Sequence, residues 1–124
     1  MEQKFISPYV FAGLTHWHKV KTVANKSTTD DVIKDVCLVM GYTFEEVDNR
    51  SRVREIVYVR HAIAYWLKKV TNGTLKGIGT VFTGNRDHAT ILSSIETWDN
   101  LIHFDKEIMK VNDKIKEIMI RKYL

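Results

Sequence analysis

The sequence predicts an all-α fold: a helical bundle containing a helix-turn-helix, preceded by an irregular N-terminal arm and closed by an extra C-terminal helix. Three observations lead there. Apolar residues recur at three-to-four spacing over most of the chain, with no sustained alternation of the kind that marks a strand. Capping residues and glycines separate these runs. Between Thr74 and Leu101 a short helix, a tight glycine turn and a longer helix follow one another at helix-turn-helix spacing.

Residues 1–27 show no such period, hold the only proline, Pro8, and carry an apolar group of Tyr9, Val10, Phe11, Leu14 and Trp17. They read as the arm, and residues 28–124 as a single domain. Thr28 or Thr29 can cap the first helix, Asp30 and Asp31 sit in its positively polarised first turn, and Val32, Ile33, Val36, Val39 and Met40 form its core stripe up to Gly41. Cys37 packs on the same helix. Thr43 with Glu46 fits a capping box, which makes Phe44 to Asp48 one helical turn.

From about Val53 to Val70, Ile56, Val59, Ile63, Trp66, Leu67 and Val70 mark a long amphipathic helix. At about 100° per residue, Arg54, Tyr58, His61, Tyr65 and Lys68 fall roughly opposite that stripe, giving a basic face interleaved with aromatics. Thr74 caps a short helix running through Phe82, with Leu75, Ile78, Val81 and Phe82 inward. Gly77 and Gly79 cost this helix about 1 kcal/mol each against alanine, so they imply close approach of another helix or a backbone. After Thr83, Gly84 and Asn85 the longer helix runs from about Asp87 to Leu101 and buries Ile91, Leu92, Ile95 and Trp98, with Ile102 just beyond. Its opposite face is Arg86, Ala89, Thr90, Ser93 and Thr97. Except for the arginine at the start these are small or hydroxylated side chains where a solvated helix carries Glu and Lys, and they let a backbone approach base edges in a major groove. The last helix, about Asp105 to Lys122, carries Ile108, Val111, Ile115, Ile118 and Met119 and packs or pairs.

Charge is unevenly placed along the 124 residues. Residues 1–27 carry +3, residues 28–49 carry −5 and residues 77–124 balance, whereas 50–76 hold Arg50, Arg52, Arg54, Arg60, Lys68, Lys69 and Lys76 against Glu55 alone. A +6 segment calls for a polyanion.

Several chemistries are excluded. His16 and His18 are separated by one residue, His61, His88 and His103 are scattered, and there is one cysteine, so no recurrent metal spacing is present. The phosphate-loop and dinucleotide glycine patterns are absent, and no nucleophile signature occurs, so neither a nucleotide, a cofactor nor catalysis is expected. MEQKFISPYV has no apolar stretch of signal-peptide length and no run approaches the ~20 residues that span a bilayer, which makes the cytoplasm the expected compartment, without membrane contact.

The stretch RSRVREIVYVRHAIAYWLKKVTNGTLKGIGTVFTGNRDHATIL resembles the C-terminal duplex-binding domain of the bacterial replication initiator family, DnaA. The family's L-x-x-I-G-x-x-F-G-G-R-D-H-[ST]-T-V-[LI]-H motif is matched at Leu75, Ile78, Gly79, Phe82, Gly84, Arg86, Asp87, His88, Thr90, Ile91 and Leu92, and the resemblance extends over about residues 30–104. It implies sequence-specific binding of double-stranded DNA in replication initiation or its regulation, in association with the nucleoid. Arg52 and Arg54, in the loop that opens with Arg50, would enter the minor groove or grip phosphate, and Arg60 and Lys68 would anchor the backbone. Asp87, His88 and Thr90 would read the major groove beside Arg86, Ala89 and Ser93; His61 and Lys76 complete the candidate set. The chain departs from the family at Asn85, which looks inserted, at Ala89 and Ser93, and at Val59 and His61. It is too short for the family's ATP-dependent oligomerising module, which implies a stand-alone DNA-binding protein. The competing readings are an adaptor that keeps the fold while the arm around Phe11 and Trp17, or the final helix, binds a replication protein, and a transcription regulator with a different DNA site.

Overall fold

Six helices, and no strand, occur among residues 26–123, which the computed structural model describes: α1 Lys26–Met40, α2 Phe44–Val47, α3 Arg54–Thr71, α4 Leu75–Gly79, α5 His88–Phe104 and α6 Lys106–Tyr123. The arm with its Tyr9-to-Trp17 apolar group lies outside the described residues.

α3 is the axis of the bundle and packs against all five other helices. Ala62, Ile63, Ala64, Tyr65, Trp66 and Leu67 are six consecutive residues no more than 1 % exposed, which is possible only for a helix covered on every side. From Val59 on the apolar stripe is buried as expected, and Arg54 and Glu55 stay exposed, so the amphipathic reading is corrected only at residues 62–67, which are covered all round. Tyr65, placed on the solvated basic stripe, is 0 % exposed and meets the Trp66 ring edge-on at 5.4 Å.

The caps expected at Thr43 and Thr74 form, and the one expected at Thr28 or Thr29 does not. Among the described residues α1 already runs from Lys26, two residues before Thr28, so Thr28 and Thr29 stand inside the helix rather than capping it, and Asp30 and Asp31 lie beyond its first turn rather than in it. Gly41, at φ 84°, ends it by donating to the Cys37 carbonyl oxygen at 2.8 Å. In α2 the Thr43–Glu46 capping box is formed in both directions, with hydrogen bonds of 2.8 and 3.2 Å. Thr74 caps α4 by accepting from the Gly77 N–H at 2.9 Å. That helix stops at Gly79 rather than Phe82, and single turns carry the chain on, with Val81 and Phe82 donating to the carbonyls of Ile78 and Gly79.

α6 closes the bundle over α1 and α5 with Ile108, Ile115 and Met119 buried. Asp105 Oδ1 accepts from the N–H groups of Glu107 and Ile108 at its start, and Lys122 at its end pairs with Asp35 of α1 at 2.9 Å. Among these apolar residues sits Asn112, 6 % exposed, whose Oδ1 accepts from both Trp66 Nε1 at 2.9 Å and Trp98 Nε1 at 3.0 Å. One side-chain carbonyl thereby ties α3, α5 and α6 together.

Candidate nucleic-acid interface

The helix-turn-helix is closed by a turn that only special residues can make. Gly84 and Asn85 lie in the left-handed region at φ 91° and 49°, and the chain comes back so that the Arg86 N–H donates to the Gly79 carbonyl at 3.1 Å. The backbone passes so near that a Cβ at Gly79 would lie 3.0 Å from the Arg86 carbonyl carbon and closer still to its oxygen, which is the close approach the glycine implied. Gly77 serves no such purpose, since a Cβ there meets only the Thr74 hydroxyl, at 3.0 Å.

α5 then starts on a cap. Asp87 Oδ1 accepts from the Thr90 N–H at 2.8 Å, and that bond with the Thr90 side chain holds the Asp87 carboxyl below its ordinary pKa. Ile91, Ile95 and Trp98 anchor the helix at no more than 1 % exposure. With the inner face fixed, His88, Ala89, Thr90 and Ser93 stand exposed along the outer face of the first two turns.

The basic loop between α2 and α3 is held against this turn. Arg50, Arg52 and Arg54 are exposed, with the Arg54 guanidinium 5.9 Å from the Tyr58 ring centroid. Asn49 organises the loop: its Oδ1 accepts from the Ser51 N–H at 2.7 Å and from Arg60 Nη2 at 3.1 Å, and its Nδ2 donates to the Glu46 carbonyl at 2.7 Å. The Asp48 carboxylate takes the Thr83 N–H at 2.9 Å and hydroxyl at 2.7 Å, and Arg86 Nη2 donates to the Asn49 carbonyl at 3.1 Å. The loop that carries Arg50 and Arg52 and leads into Arg54 of α3 is thus tied at Asp48 and Asn49 to the turn that precedes α5.

Three members of the basic set are engaged within the fold. Arg60 is 9 % exposed and its Nε donates to the Val47 carbonyl at 2.8 Å. Burial and the neighbouring Arg86 pull its pKa down while Asp48 opposes them. Lys68 donates from Nζ to the Gly73 carbonyl at 3.0 Å, closing the end of α3, and burial lowers its pKa. His61 is partly buried, and burial together with Arg60 lowers its pKa to about 4, so at neutral pH the ring is uncharged and adds nothing to a cationic stripe. Arg86 is also partly buried, its guanidinium 5.3 Å from the Phe82 ring centroid, which gives it a structural duty at the turn. Lys76 is exposed on α4.

The His61 shift predicts a pH effect. The folded ring refuses a proton that the unfolded chain accepts near the ordinary 6.5, so stability present above 6.5 is lost as pH falls towards about 4. Thermal unfolding at about pH 7 and 4.5 is expected to show a smaller acid loss for His61→Gln than for the wild type; equal losses would assign the effect to other groups.

Comparison with known proteins fits this geometry. Residues 29–97 match the family model described as the bacterial DnaA helix-turn-helix. The chain belongs to that family. DnaA, the chromosomal replication initiator protein, of Bacteroides thetaiotaomicron is 29% identical over 117 residues, covering 94% of this chain and 24% of the relative. The Mesoplasma florum DnaA is 33% identical over 116 residues, covering 94% and 23%, and that of Flavobacterium psychrophilum is 33% identical over 98 residues, covering 79% and 20%. The chain therefore spans about a quarter of the length of these DnaA relatives. No solved structure matches it with significance. The DnaA match includes the loop, the turn and the first two turns of α5, so the tethered surface lies wholly inside it.

Residues that sequence reasoning left out of the site are Asp48, Asn49 and Thr83. An Asn two residues before a Ser at a helix exit signals an Asx-turn, which is the local bond Asn49 makes. The pairing of Asp48 with Thr83 bridges thirty-five positions and leaves no local trace.

Proposed function

We propose that the protein binds double-stranded DNA sequence-specifically, in the service of replication initiation or its control. The start of α5 enters the major groove, and the Arg50–Arg54 loop lies on the adjacent backbone or minor groove. The observation that carries this is the exposed face of His88, Ala89, Thr90 and Ser93, open to close approach of base edges, with the loop that carries Arg50 and Arg52 and leads into Arg54 tied to the turn before it. His88 and Thr90 supply polar contacts and Ala89 a methyl for a thymine.

The test is fluorescence anisotropy of the whole chain against a duplex carrying the DnaA family's box, a duplex selected from a random pool by the protein itself, and a scrambled duplex. Preference for one of the first two by about a hundredfold or more is expected, and equal binding to all three rejects specific reading. Thr90→Ala is expected to lose about tenfold on the preferred duplex and little on the scrambled one. The salt response is a separate check. Counting the exposed cations Arg50, Arg52, Arg54 and Lys76, the slope of log affinity against log salt is expected near about −3.6, a loss of about 150-fold between about 50 and 200 mM. A slope above about −2 in value would mean that these groups do not meet phosphate.

A further inference from the structure

We propose that Asp48 and Thr83 form a positioning clasp that sets the distance between the groove-reading helix and the arginine loop, and that Asp48 thereby promotes specific binding although it is an acid on a polyanion-binding surface. The inference rests on the function proposed above.

The loop of residues 48–53 has no helix of its own. Its internal bonds are local: Ser51 N–H to Asn49 Oδ1 at 2.7 Å and Val53 N–H to Ser51 Oγ at 3.1 Å. Such bonds shape a loop without telling it where to lie relative to a second element. That information comes from the bonds that cross to the helix-turn-helix. Thr83 presents two donors, its N–H and its hydroxyl, and each goes to a different oxygen of the Asp48 carboxylate, at 2.9 and 2.7 Å. A two-point contact fixes orientation as well as distance, and both bonds are to a charged acceptor. One turn further on, Arg86 reaches the Asn49 carbonyl at 3.1 Å, and Asn49 also holds Arg60, which is bonded to Val47. The far end of the clasp is equally fixed, because Thr83 precedes the Gly84–Asn85 turn that delivers Asp87 to the cap of α5. Loop and α5 thus move as one body, and contacts to two grooves are made from a preset geometry instead of being ordered on binding.

Simple electrostatics and the clasp predict opposite signs for the same substitution. If Asp48 were only a negative charge beside DNA, Asp48→Ala would strengthen binding to every duplex. With the clasp, Asp48→Ala loses about tenfold on the preferred duplex, since hydrogen bonds to a charged group are removed, while binding to the scrambled duplex stays level or rises. Asp48→Asn rescues, because its amide oxygen accepts from the Thr83 N–H and its NH2 donates to the hydroxyl. Thr83→Val loses affinity with no change of charge, and Thr83→Ser restores it. These are measured by anisotropy with the selected and scrambled duplexes. A gain for Asp48→Ala on both duplexes, or failure of the Asn and Ser variants to rescue, overturns the clasp.

Amide hydrogen exchange of the free protein keeps this test separate from that of the function. Asp48→Ala is expected to speed exchange at least about tenfold in residues 49–53 while Ile91 to Trp98 keep their protection. Unchanged loop exchange overturns the clasp whatever the DNA result. A wild type that does not discriminate among duplexes fails the functional reading instead, and the exchange result then decides the clasp alone.

Discussion

Replacing Asn112 with leucine is expected to lower the unfolding free energy by about 4 kcal/mol, although leucine is close in size and apolar, and its neighbours are mostly apolar. The reason is the pair of indoles. Trp66 and Trp98 are 1 % and 0 % exposed, and both direct Nε1–H to the Asn112 carbonyl oxygen, at 2.9 and 3.0 Å. A carbonyl oxygen has two lone pairs, so this acceptor is fully used. Leucine removes it from two buried donors at once, and each buried group deprived of its partner costs about 1 to 3 kcal/mol. Against a total stability of about 5 to 15 kcal/mol this is a large fraction, equivalent to a fall of about 15 °C in melting temperature. Urea unfolding followed by tryptophan fluorescence reads both the loss and the changed environment of the indoles. A loss below about 1 kcal/mol would show that this oxygen does not sustain the core.

Gly79→Ala is expected to cost about 3 kcal/mol or more and to abolish specific DNA binding. The methyl would collide with the Arg86 carbonyl, a backbone group that cannot swing aside as a side chain can. Relief requires the turn to open, which breaks the Arg86 N–H bond to the Gly79 carbonyl and shifts Asp87 off the α5 cap. Gly77→Ala is the control. The same change two positions earlier meets only the Thr74 hydroxyl and is expected to stay within about 1 kcal/mol of the wild type, since the strain there is offset by alanine's better helix propensity. Thermal unfolding of the two variants side by side decides the matter, and similar melting temperatures would refute the close approach as a constraint.

Legibility in the sequence followed the range of the interactions. Caps are local: Thr43 with Glu46 and Thr74 with Gly77 each act over three residues and are legible from residue type and spacing, whereas Thr28 and Thr29 fail as caps because the helix already runs from Lys26. The outer face of α5 was legible for a related reason, as one stripe is apolar and the other small and hydroxylated. α3 was misread because a helical wheel assumes one buried face, and a tyrosine on the other face looks solvated. In the bundle the middle of that face is covered too, and Tyr65 reaches 0 % exposure while Arg54 stays exposed. The anchor role of Arg60 came from the resemblance, and its acceptor within the fold, the Val47 carbonyl, lies thirteen positions back where no local pattern shows it; Asn112 is equally silent because one of its tryptophans is forty-six away. The cationic residues therefore divide by position, with Arg50, Arg52 and Arg54 at the exposed entry to α3 and Arg60 and Lys68, further along it, drawn into the scaffold.

Cys37 has a practical consequence. It is the sole cysteine of the chain, 4 % exposed within α1, with its thiol pushed up to about 11 by burial. Thiolate is the reactive form, so in the closed bundle an alkylating reagent meets almost none, and modification proceeds mainly through molecules in which the packing around α1 has momentarily opened. The rate of alkylation is then a clock for that opening, readable in crude mixtures by a mass shift and without any introduced label. Run with and without a duplex, it measures how far an occupant at α5 steadies a helix on another side of α3.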